Sequence, residues 1–99
     1  MKERNFENVK DCIGKIILVH RMRKNLSQFH IASEIGVSSN QIGRIERGET
    51  NPTIETLFKI SDYLGIDFSQ LFLPLTEQKL KEIISEIDNL RSLQKSKSV

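Results

Sequence analysis

Apolar residues recur along most of this 99-residue chain at the three- and four-residue spacing of amphipathic helices. Short breaks divide the pattern into six segments, at about residues 8–24, 28–35, 39–47, 54–64, 68–72 and 76–93. Residues that favour helix N-termini precede five segments, and glycines that end helices follow three: Ser27, Ser38, Thr53, Asp67 and Thr76, then Gly36, Gly48 and Gly65. The pattern therefore predicts an all-α fold.

The break at residues 73–75, Leu-Pro-Leu, separates the first five predicted helices from the sixth. We therefore expect one domain over residues 1–73, followed by a C-terminal segment, residues 74–99, that holds one helix and a frayed tail. In the fourth predicted helix the apolar residues form a stripe that we expect to face inward: Ile54, Leu57, Phe58, Ile60 and Leu64.

The sixth predicted helix carries a stripe at 3-4-3 spacing, widened by Ile84, that we expect to be a dimerisation surface: Leu80, Ile83, Ile84, Ile87 and Leu90. The stripe covers only about two heptads, which is too short for a stable isolated coiled coil. It can fold back onto the first helix of its own chain, or pair with the same helix of a second chain. We expect both uses, with packing in the same chain on Cys12, Ile16 and Val19.

The stretch from Ser27 to Gly48, SQFHIASEIGVSSNQIGRIERG, predicts two short helices that meet at a tight corner. Two helices that cross steeply need a small side chain where they touch, and Ala32 provides it four residues before Gly36. Gly36 permits a turn of three or four residues, and apolar residues after it hold the second helix in place. This is the pattern of a helix-turn-helix.

With the apolar residues of the second helix directed inward, a polar set is left facing outward: Ser38, Ser39, Asn40, Gln41 and Arg44. Asn and Gln side chains can pair with adenine and Arg with guanine in the major groove of DNA, so we expect base contacts from this set. Ser27 and Gln28 open the preceding helix, where exposed amides and the helix dipole favour a phosphate.

These motifs together resemble the Cro/C1-type (Xre) helix-turn-helix domain of bacterial and phage regulators. The resemblance covers residues 13–72 and includes LSQ at 26–28, the Ala32 to Ser38 corner, IERG at 45–48, NPT at 51–53 and DFSQLF at 67–72. It implies a five-helix DNA-binding domain, to which this chain adds a C-terminal helix. Ile16, Leu18 and Val19 stand where the family usually has charged residues, which indicates that an extra element packs against the first helix.

Carried over by position, the resemblance implies base contacts from Ser38, Ser39, Asn40 and Arg44, and phosphate contacts from Ser27, Gln28 and Asn51. It also implies an ion pair between Arg21 and Glu46 that braces the recognition helix. Such a pair would keep the Glu46 carboxylate away from the DNA. A screened surface pair, worth roughly 0–1 kcal/mol, is the alternative for these two residues.

Composition narrows the classes of protein further. The net charge is only +2, so a footprint on nucleic acid has to be local: residues 1–26 hold seven basic and three acidic side chains, and residues 27–75 hold three and six. Cys12 is the single cysteine, which excludes an intramolecular disulfide and fits a cytoplasmic protein. One Cys and two His cannot form a zinc finger, so no metal site is expected.

No membrane span, cofactor or small-molecule ligand is indicated by the sequence, and we do not expect an enzyme. Cys12 and His20 lie eight residues apart on one predicted helix, about 12 Å along its axis, too far for a nucleophile and its base.

The sequence thus predicts a regulator that binds double-stranded DNA at an inverted repeat as a homodimer, similar to a phage-type repressor or a restriction–modification controller. The alternative is an antitoxin or a protein-interaction module whose helix 76–93 binds another protein.

Overall fold

The computed structural model describes residues 6–97, and within this range the chain is all-α, as the sequence predicts. The helices are α1 (Phe6–Arg23), α2 (Gln28–Ile35), α3 (Ser39–Glu46), α4 (Ile54–Leu64), a 3₁₀ helix (Phe68–Phe72) and α5 (Glu77–Lys97). No helix in the described range is both long and apolar enough to cross a membrane.

Local capping explains where the short helices begin. The hydroxyl of Ser27 accepts a hydrogen bond from the backbone N–H of His30 at 2.9 Å, and Ser38 accepts one from Gln41 at 3.0 Å. Thr53 caps α4 in the same way, through the N–H of Thr56 at 3.1 Å. Because each cap satisfies an otherwise unpaired helix donor, the predicted starts of α2, α3 and α4 agree with the structure.

The ends of α1, α3 and α5 differ from the prediction. α1 begins at Phe6 rather than near Asn8, and α3 ends at Glu46, one residue earlier than expected. α5 continues to Lys97, although a frayed tail was expected from Gln94. Residues 94–97 contain no glycine or proline, so nothing in the local sequence ends the helix there. Residues 1–5 and 98–99 of the predicted segments lie outside the described residues.

The main hydrophobic core lies where α1 to α4 and the 3₁₀ helix meet. Its centre contains side chains with 0–1% of their surface exposed: Ile17, Ile31, Ile42, Ile60, Leu64 and Leu71. Each of the four helices and the 3₁₀ helix contributes at least one of these residues, so the core fixes α3 relative to the rest of the domain.

The prediction for the inward face of α4 is wrong at two of its five positions. Ile54 and Phe58 are 73% and 55% exposed, while Leu57, Ile60 and Leu64 are buried as expected. Thr56 and Ser61 take part of the inward face instead. A stripe at i, i+3, i+4 and i+7 starting from Leu57 leaves positions 54 and 58 on the neighbouring side of the helix.

Gly14 brings α1 into close contact with the end of α3. A Cβ atom on this residue would lie 2.5 Å from the carbonyl oxygen of Glu46 and 2.6 Å from that of Ile45. No real Cβ tolerates this distance, so only glycine allows the two backbones to approach as they do.

A second hydrophobic cluster joins α5 to α1. Ile83 and Ile87 of α5 are buried against Leu18, Val19 and Met22 of α1, and Leu75 and Leu90 pack at its edges. α5 is thus the extra element beside the first helix. The expected partner stripe of Cys12, Ile16 and Val19 is wrong except for Val19, because Ile16 belongs to the main core and Cys12 is half-buried outside both clusters.

Candidate DNA interface

The corner between α2 and α3 is closed by backbone hydrogen bonds to one residue. The N–H groups of Gly36 and Val37 donate to the carbonyl oxygen of Ala32 at 2.9 and 3.0 Å. Gly36 has a φ of 79°, a conformation that side chains with a Cβ rarely adopt. Ala32 itself is buried, and its small size lets α3 cross α2 at short distance.

The corner leaves the polar face of α3 in solvent. Ser38, Asn40, Gln41 and Arg44 are exposed, and Ser39 is half-buried at the start of the helix. The opposite side of α3 is inside the core, where Ile42 and Ile45 are at most 2% exposed. Four of the five residues predicted to contact bases are therefore exposed and Ser39 only partly so, and the Ser38 hydroxyl also serves as the α3 cap.

The residues predicted to contact phosphate lie at two helix entrances beside this face. Ser27 and Gln28 line an open cleft of about 550 Å³ together with Ser39 of α3 and Gln94 of α5. Asn51 is exposed in the loop between α3 and α4, two residues before the Thr53 cap. The cleft thus connects the N-terminus of α2 with the start of α3, and Asn51 approaches from the other end of that helix.

Arg21 and Glu46 form a buried ion pair beneath the exposed face of α3. Arg21 Nε donates to Glu46 Oε2 at 2.6 Å, and its Nη2 donates to Oε1 at 3.1 Å. The guanidinium also donates through Nη1 to the carbonyl oxygen of Leu26 at 2.7 Å. Arg21 and Glu46 are 9% and 2% exposed, so this is a two-pronged pair inside the domain rather than a screened surface contact.

Gln28 also belongs to this network, and its contact with Glu46 was not predicted from the sequence. Its side-chain amide donates to Glu46 Oε1 at 2.9 Å, so α2 is tied to the same carboxylate as α1. Gly43 makes room for it, because a Cβ there would stand 3.3 Å from the Gln28 amide. The only signal in the sequence is a glycine one turn before a glutamate on α3, which is too common to identify such a contact.

Charge on α3 and in the loop after it is partly neutralised within the chain. Arg47 Nε donates to Glu49 Oε2 at 2.7 Å, and this hydrogen bond holds the pKa of the Glu49 carboxyl below its usual range. Arg44 lies on the exposed side of the helix, between the polar residues at its start and this pair. The positive charge nearest the polar face is therefore that of Arg44.

The five residues of the α5 stripe are not equally available to a second chain. Ile83 and Ile87 are 6% and 3% exposed because they pack on α1, and Leu80 and Leu90 are half-buried. Ile84 is 40% exposed on the adjacent side. The stripe is thus used largely within its own chain.

Comparison with known proteins places this geometry in a family. A family model described as helix-turn-helix, HTH_3, matches residues 20–71, which contain the corner, α3 and all the predicted base and phosphate contacts. The chain belongs to the HTH_3 (Xre/Cro-C1-type) helix-turn-helix family. This family consists of DNA-binding transcription regulators, so the resemblance seen in the sequence is confirmed.

Relatives within the family carry regulator names. The chain is 43% identical over 61 residues to the HTH-type transcriptional regulator SlrR of Bacillus subtilis, covering 61% of this chain and 40% of SlrR. It is 33% identical over 76 residues to the control protein C.SmaI of Serratia marcescens, covering 77% of this chain and 87% of that protein.

A solved HTH_3 family transcriptional regulator from Vibrio cholerae superposes with a TM-score of 0.63 at 38% identity, covering 69% of this chain and 38% of that one. The chain therefore spans about two fifths of the length of SlrR and of this structure, and most of the length of C.SmaI.

Proposed function

We propose that the protein is a sequence-specific DNA-binding transcription regulator that reads an inverted repeat as a homodimer, in the manner of a repressor or a restriction–modification controller. The observation that carries the proposal is the exposed polar face of α3 held on the buried Arg21–Glu46 pair. In the proposed complex, α3 lies in the major groove of DNA, and Asn40, Gln41 and Arg44 contact the edges of the bases.

Phosphate contacts in this proposal come from the two ends of the recognition unit. Ser27 and Gln28 offer the α2 N-terminus on one side, and Asn51 lies at the other side. The Gln28 side chain is already bonded to Glu46, so a phosphate bound there is held by a group whose position is fixed before DNA arrives.

A homodimer is proposed because one domain offers little charge to DNA. Arg47 is paired with Glu49, and a single domain makes only a few phosphate contacts, so its affinity should be low and strongly dependent on salt. Two linked copies gain from effective concentration, and helix-turn-helix dimers bind half-sites about 34 Å apart.

Selection of bound DNA from a random pool tests the proposal. We expect an inverted repeat to emerge, and Arg44→Ala to relax the preference at one base position at a cost of about 1–3 kcal/mol in band-shift titrations. Arg91→Ala, an exposed arginine on α5, is the matched control and should leave the preferred sequence unchanged. If Arg44→Ala weakened all sequences equally, Arg44 would be a phosphate contact; if no sequence were enriched, the proposal would fail.

A protein-interaction module is the second candidate, because apolar side chains outside the main core remain exposed near the cleft and on α5. Phe29 on α2 is 71% exposed, and Leu93 on α5 is 58% exposed. In this alternative, which includes an antitoxin, α5 binds another protein and DNA binding is secondary. Light scattering after size exclusion, with and without the selected DNA, separates the two, since only the regulator should form a two-to-one complex with a full operator.

A further inference from the structure

The C-terminal end of α5 is the most basic part of that segment, and it lies at the edge of the proposed DNA interface. In the sequence, residues 77–88 include four acidic and two basic residues, whereas residues 89–99 include three basic residues and no acidic one. Gln94, near this end, lines the open cleft together with the first residues of α2 and with Ser39 of α3. The cleft beside the recognition helix is therefore bordered by α5 as well as by the helix-turn-helix.

The contacts between α5 and α1 explain why α5 reaches this cleft. Arg23, the last residue of α1, donates to the two carboxylate oxygens of Glu86 at 2.6 and 2.7 Å. Gln94 follows Glu86 by eight residues, which is about 12 Å along the helix axis. α5 thus projects past the end of α1 toward the turn that leads into α2, where Asn25 and Leu26 line the same cleft.

Helical register places Arg91 on the flank of α5 that is turned toward α3. Gly14 contacts the end of α3, and Arg23 comes nine residues later, about two and a half turns, on the opposite side of α1. Because Arg23 bonds to Glu86, the flank of α5 with Glu86 is turned away from α3. Arg91 follows Glu86 by five residues, about 140° around the helix, so it lies on the other flank, where it is exposed.

The positive charge of Arg91 is available to a partner. Within the part of the chain that the structure describes, its guanidinium forms no ion pair or hydrogen bond, whereas Arg47 is bonded to Glu49. The helix dipole does not account for it, since that field acts within the last turn and Arg91 lies six residues before the end of α5 at Lys97. None of the residues that line the cleft is acidic, so no carboxylate there repels an anion.

We infer that the C-terminal end of α5 is an additional DNA-contact element, in which Gln94 and Arg91 bind a backbone phosphate next to the one at the α2 N-terminus. The inference rests on the proposed function, which puts DNA on the polar face of α3. DNA is favoured over another acidic partner because the cleft is continuous with that face through Ser39, one of the residues predicted to contact bases. A strand that borders the major groove beside α3 passes this cleft and the end of α5.

Such a contact adds affinity but no base preference. A phosphate contact fixes the position of the protein on the duplex, and every sequence offers the same phosphate. Each phosphate neutralised by the protein releases bound counterions, which changes the slope of log affinity against log salt concentration by about 0.9. The contribution of α5 is therefore measured in the salt dependence, and the preferred sequence should be the same with and without Arg91.

Two variants that each remove one exposed cation from α5 test the inference. Arg91→Gln acts at the cleft end, and Lys81→Gln acts ten residues earlier, about 15 Å away along the axis. On a duplex with a single half-site, followed by fluorescence anisotropy in a salt series, Arg91→Gln should lower the salt slope by about 1 and weaken binding about five- to tenfold at roughly 0.1 M salt. Lys81→Gln should change neither value, because its charge is screened over that distance. Equal losses in the two variants, or no loss in Arg91→Gln, overturn the inference.

A second pair of variants tests the cleft itself. Gln94→Glu places a carboxylate where the phosphate is expected, so it should weaken binding to every duplex by about tenfold or more. Gln78→Glu adds the same charge to the first turn of α5 and should leave the affinity unchanged. Circular dichroism establishes that both variants fold. Full affinity in Gln94→Glu would mean that no phosphate lies at this end of α5.

Ethylation interference shows whether one particular phosphate is involved. Ethylation removes the charge of single phosphates, and for the unaltered protein it should block binding at a phosphate outside the bases that α3 contacts. With Arg91→Gln the block at this phosphate should fade, while the blocks at the other phosphates persist. If the two patterns are identical, the basic end of α5 serves a partner other than DNA, and the inference is wrong.

Base preference distinguishes failure of this inference from failure of the proposed function. If the unaltered chain prefers its half-site over an unrelated duplex and Arg91→Gln binds both as the unaltered chain does, only the inference falls. If the unaltered chain has no base preference at all, the proposed function falls as well.

Discussion

Two arginines of α1, only two residues apart, form the same kind of ion pair in opposite surroundings. Arg21 Nε lies 2.6 Å from Glu46 Oε2, and Arg23 Nε lies 2.6 Å from Glu86 Oε2, with a second nitrogen of each arginine bonded to the other carboxylate oxygen. The side chains of Arg21 and Glu46 are 11% and 2% exposed, whereas those of Arg23 and Glu86 are 45% and 37% exposed.

The buried pair of Arg21 and Glu46, which we call the inner pair, is part of a larger hydrogen-bond network. The exposed pair of Arg23 and Glu86, the outer pair, is not part of such a network among the described residues. Glu46 also accepts from Gln28, and Arg21 also donates to the carbonyl oxygen of Leu26. Among the described residues, no buried side-chain nitrogen or oxygen lacks a hydrogen-bond partner. The inner pair, Arg21 with Glu46, therefore joins α1, α2 and α3 at a largely buried site, and the outer pair, Arg23 with Glu86, connects α1 to α5 at the surface.

This difference shows that surroundings, rather than pair geometry, decide what an ion pair contributes. In water, charge attraction is screened and offset by the entropy of two long side chains. Inside the domain, each charge depends on its partner, because losing one leaves the other buried alone. Arg21 and Glu46 thus position the proposed recognition helix, while Arg23 and Glu86 add only a modest link to α5.

Removal of the Glu46 carboxylate should cause the largest loss of stability. Glu46→Ala leaves the Arg21 guanidinium buried without a counter-charge, and we expect a loss of about 3–5 kcal/mol in the free energy of unfolding. Guanidinium denaturation followed by circular dichroism measures this loss. Replacing both partners, as Arg21→Met with Glu46→Leu, should recover most of it, since no charge is then left unpaired. A loss below about 1 kcal/mol for Glu46→Ala would make the inner pair equivalent to a surface pair.

Truncating a side chain in the main core should cost more unfolding free energy than truncating one in the second cluster, between α1 and α5. Ile42→Ala in the main core, at 0% exposure, should cost toward the upper end of the roughly 2–5 kcal/mol known for such truncations. Ile87→Ala, in the α5 cluster, should cost toward the lower end, because α5 covers one side of α1 and can shift to fill the space. Equal losses would show that α5 is as firmly packed as α3.

Local signals made the recognition unit predictable from the sequence. The caps Ser27, Ser38 and Thr53 and the turn at Gly36 act through neighbouring backbone atoms, so residue type and spacing are enough to place them. Once the apolar residues of α3 are assigned to the core, its outward side chains follow from the 3.6-residue period. The Arg21–Glu46 pair came from the family resemblance, since 25 residues separate the two in the chain.

Contacts between distant residues account for what the sequence did not reveal. Two faces of α1 are apolar, and the residues alone do not say that α5 covers Leu18, Val19 and Met22 rather than the neighbouring stripe with Cys12. Ile54 and Phe58 fit an inward stripe on α4 as well as an outward one, because a wide apolar arc has no unique centre. The close approach at Gly14 depends on where α3 ends, which no property of α1 specifies.

Loss of the outer pair should have a small effect that depends on salt. Glu86→Gln removes the charge but keeps the size of the side chain, and we expect a loss of about 0.2–1 kcal/mol in the free energy of unfolding at low ionic strength. The difference from the unaltered protein should shrink toward zero in molar salt, whereas the effect of Glu46→Ala should persist there. Thermal unfolding at two salt concentrations makes this comparison. A salt-independent loss would indicate that Glu86 acts through packing rather than charge.

The smallest expected effect on stability is the pH dependence that comes from His20, which is half-buried on α1 near the outer pair. Burial lowers the pKa of its imidazole below the ordinary 6.5, the charges of Arg23 and Lys24 lower it further, and Glu86 opposes the shift. The unfolded chain therefore takes up the proton more readily than the folded one. Stability should be at its full value above pH 6.5 and fall as the pH drops from 6.5 through the lowered pKa. His20→Gln should remove this part of the pH dependence.

Glu86 couples this titration to the outer pair, which gives the prediction a second measurement. Because the Glu86 charge raises the pKa of His20, Glu86→Gln should move the His20 imidazole titration, followed by NMR, to lower pH. His30→Gln assigns the signal, since His20 and His30 are the two histidines of the chain. Glu46→Gln, which removes a carboxylate from the inner pair instead, is the matched control and should leave this titration in place in the folded protein. An unchanged His20 titration in Glu86→Gln would mean that the outer carboxylate is too well screened to act even on its nearest neighbours.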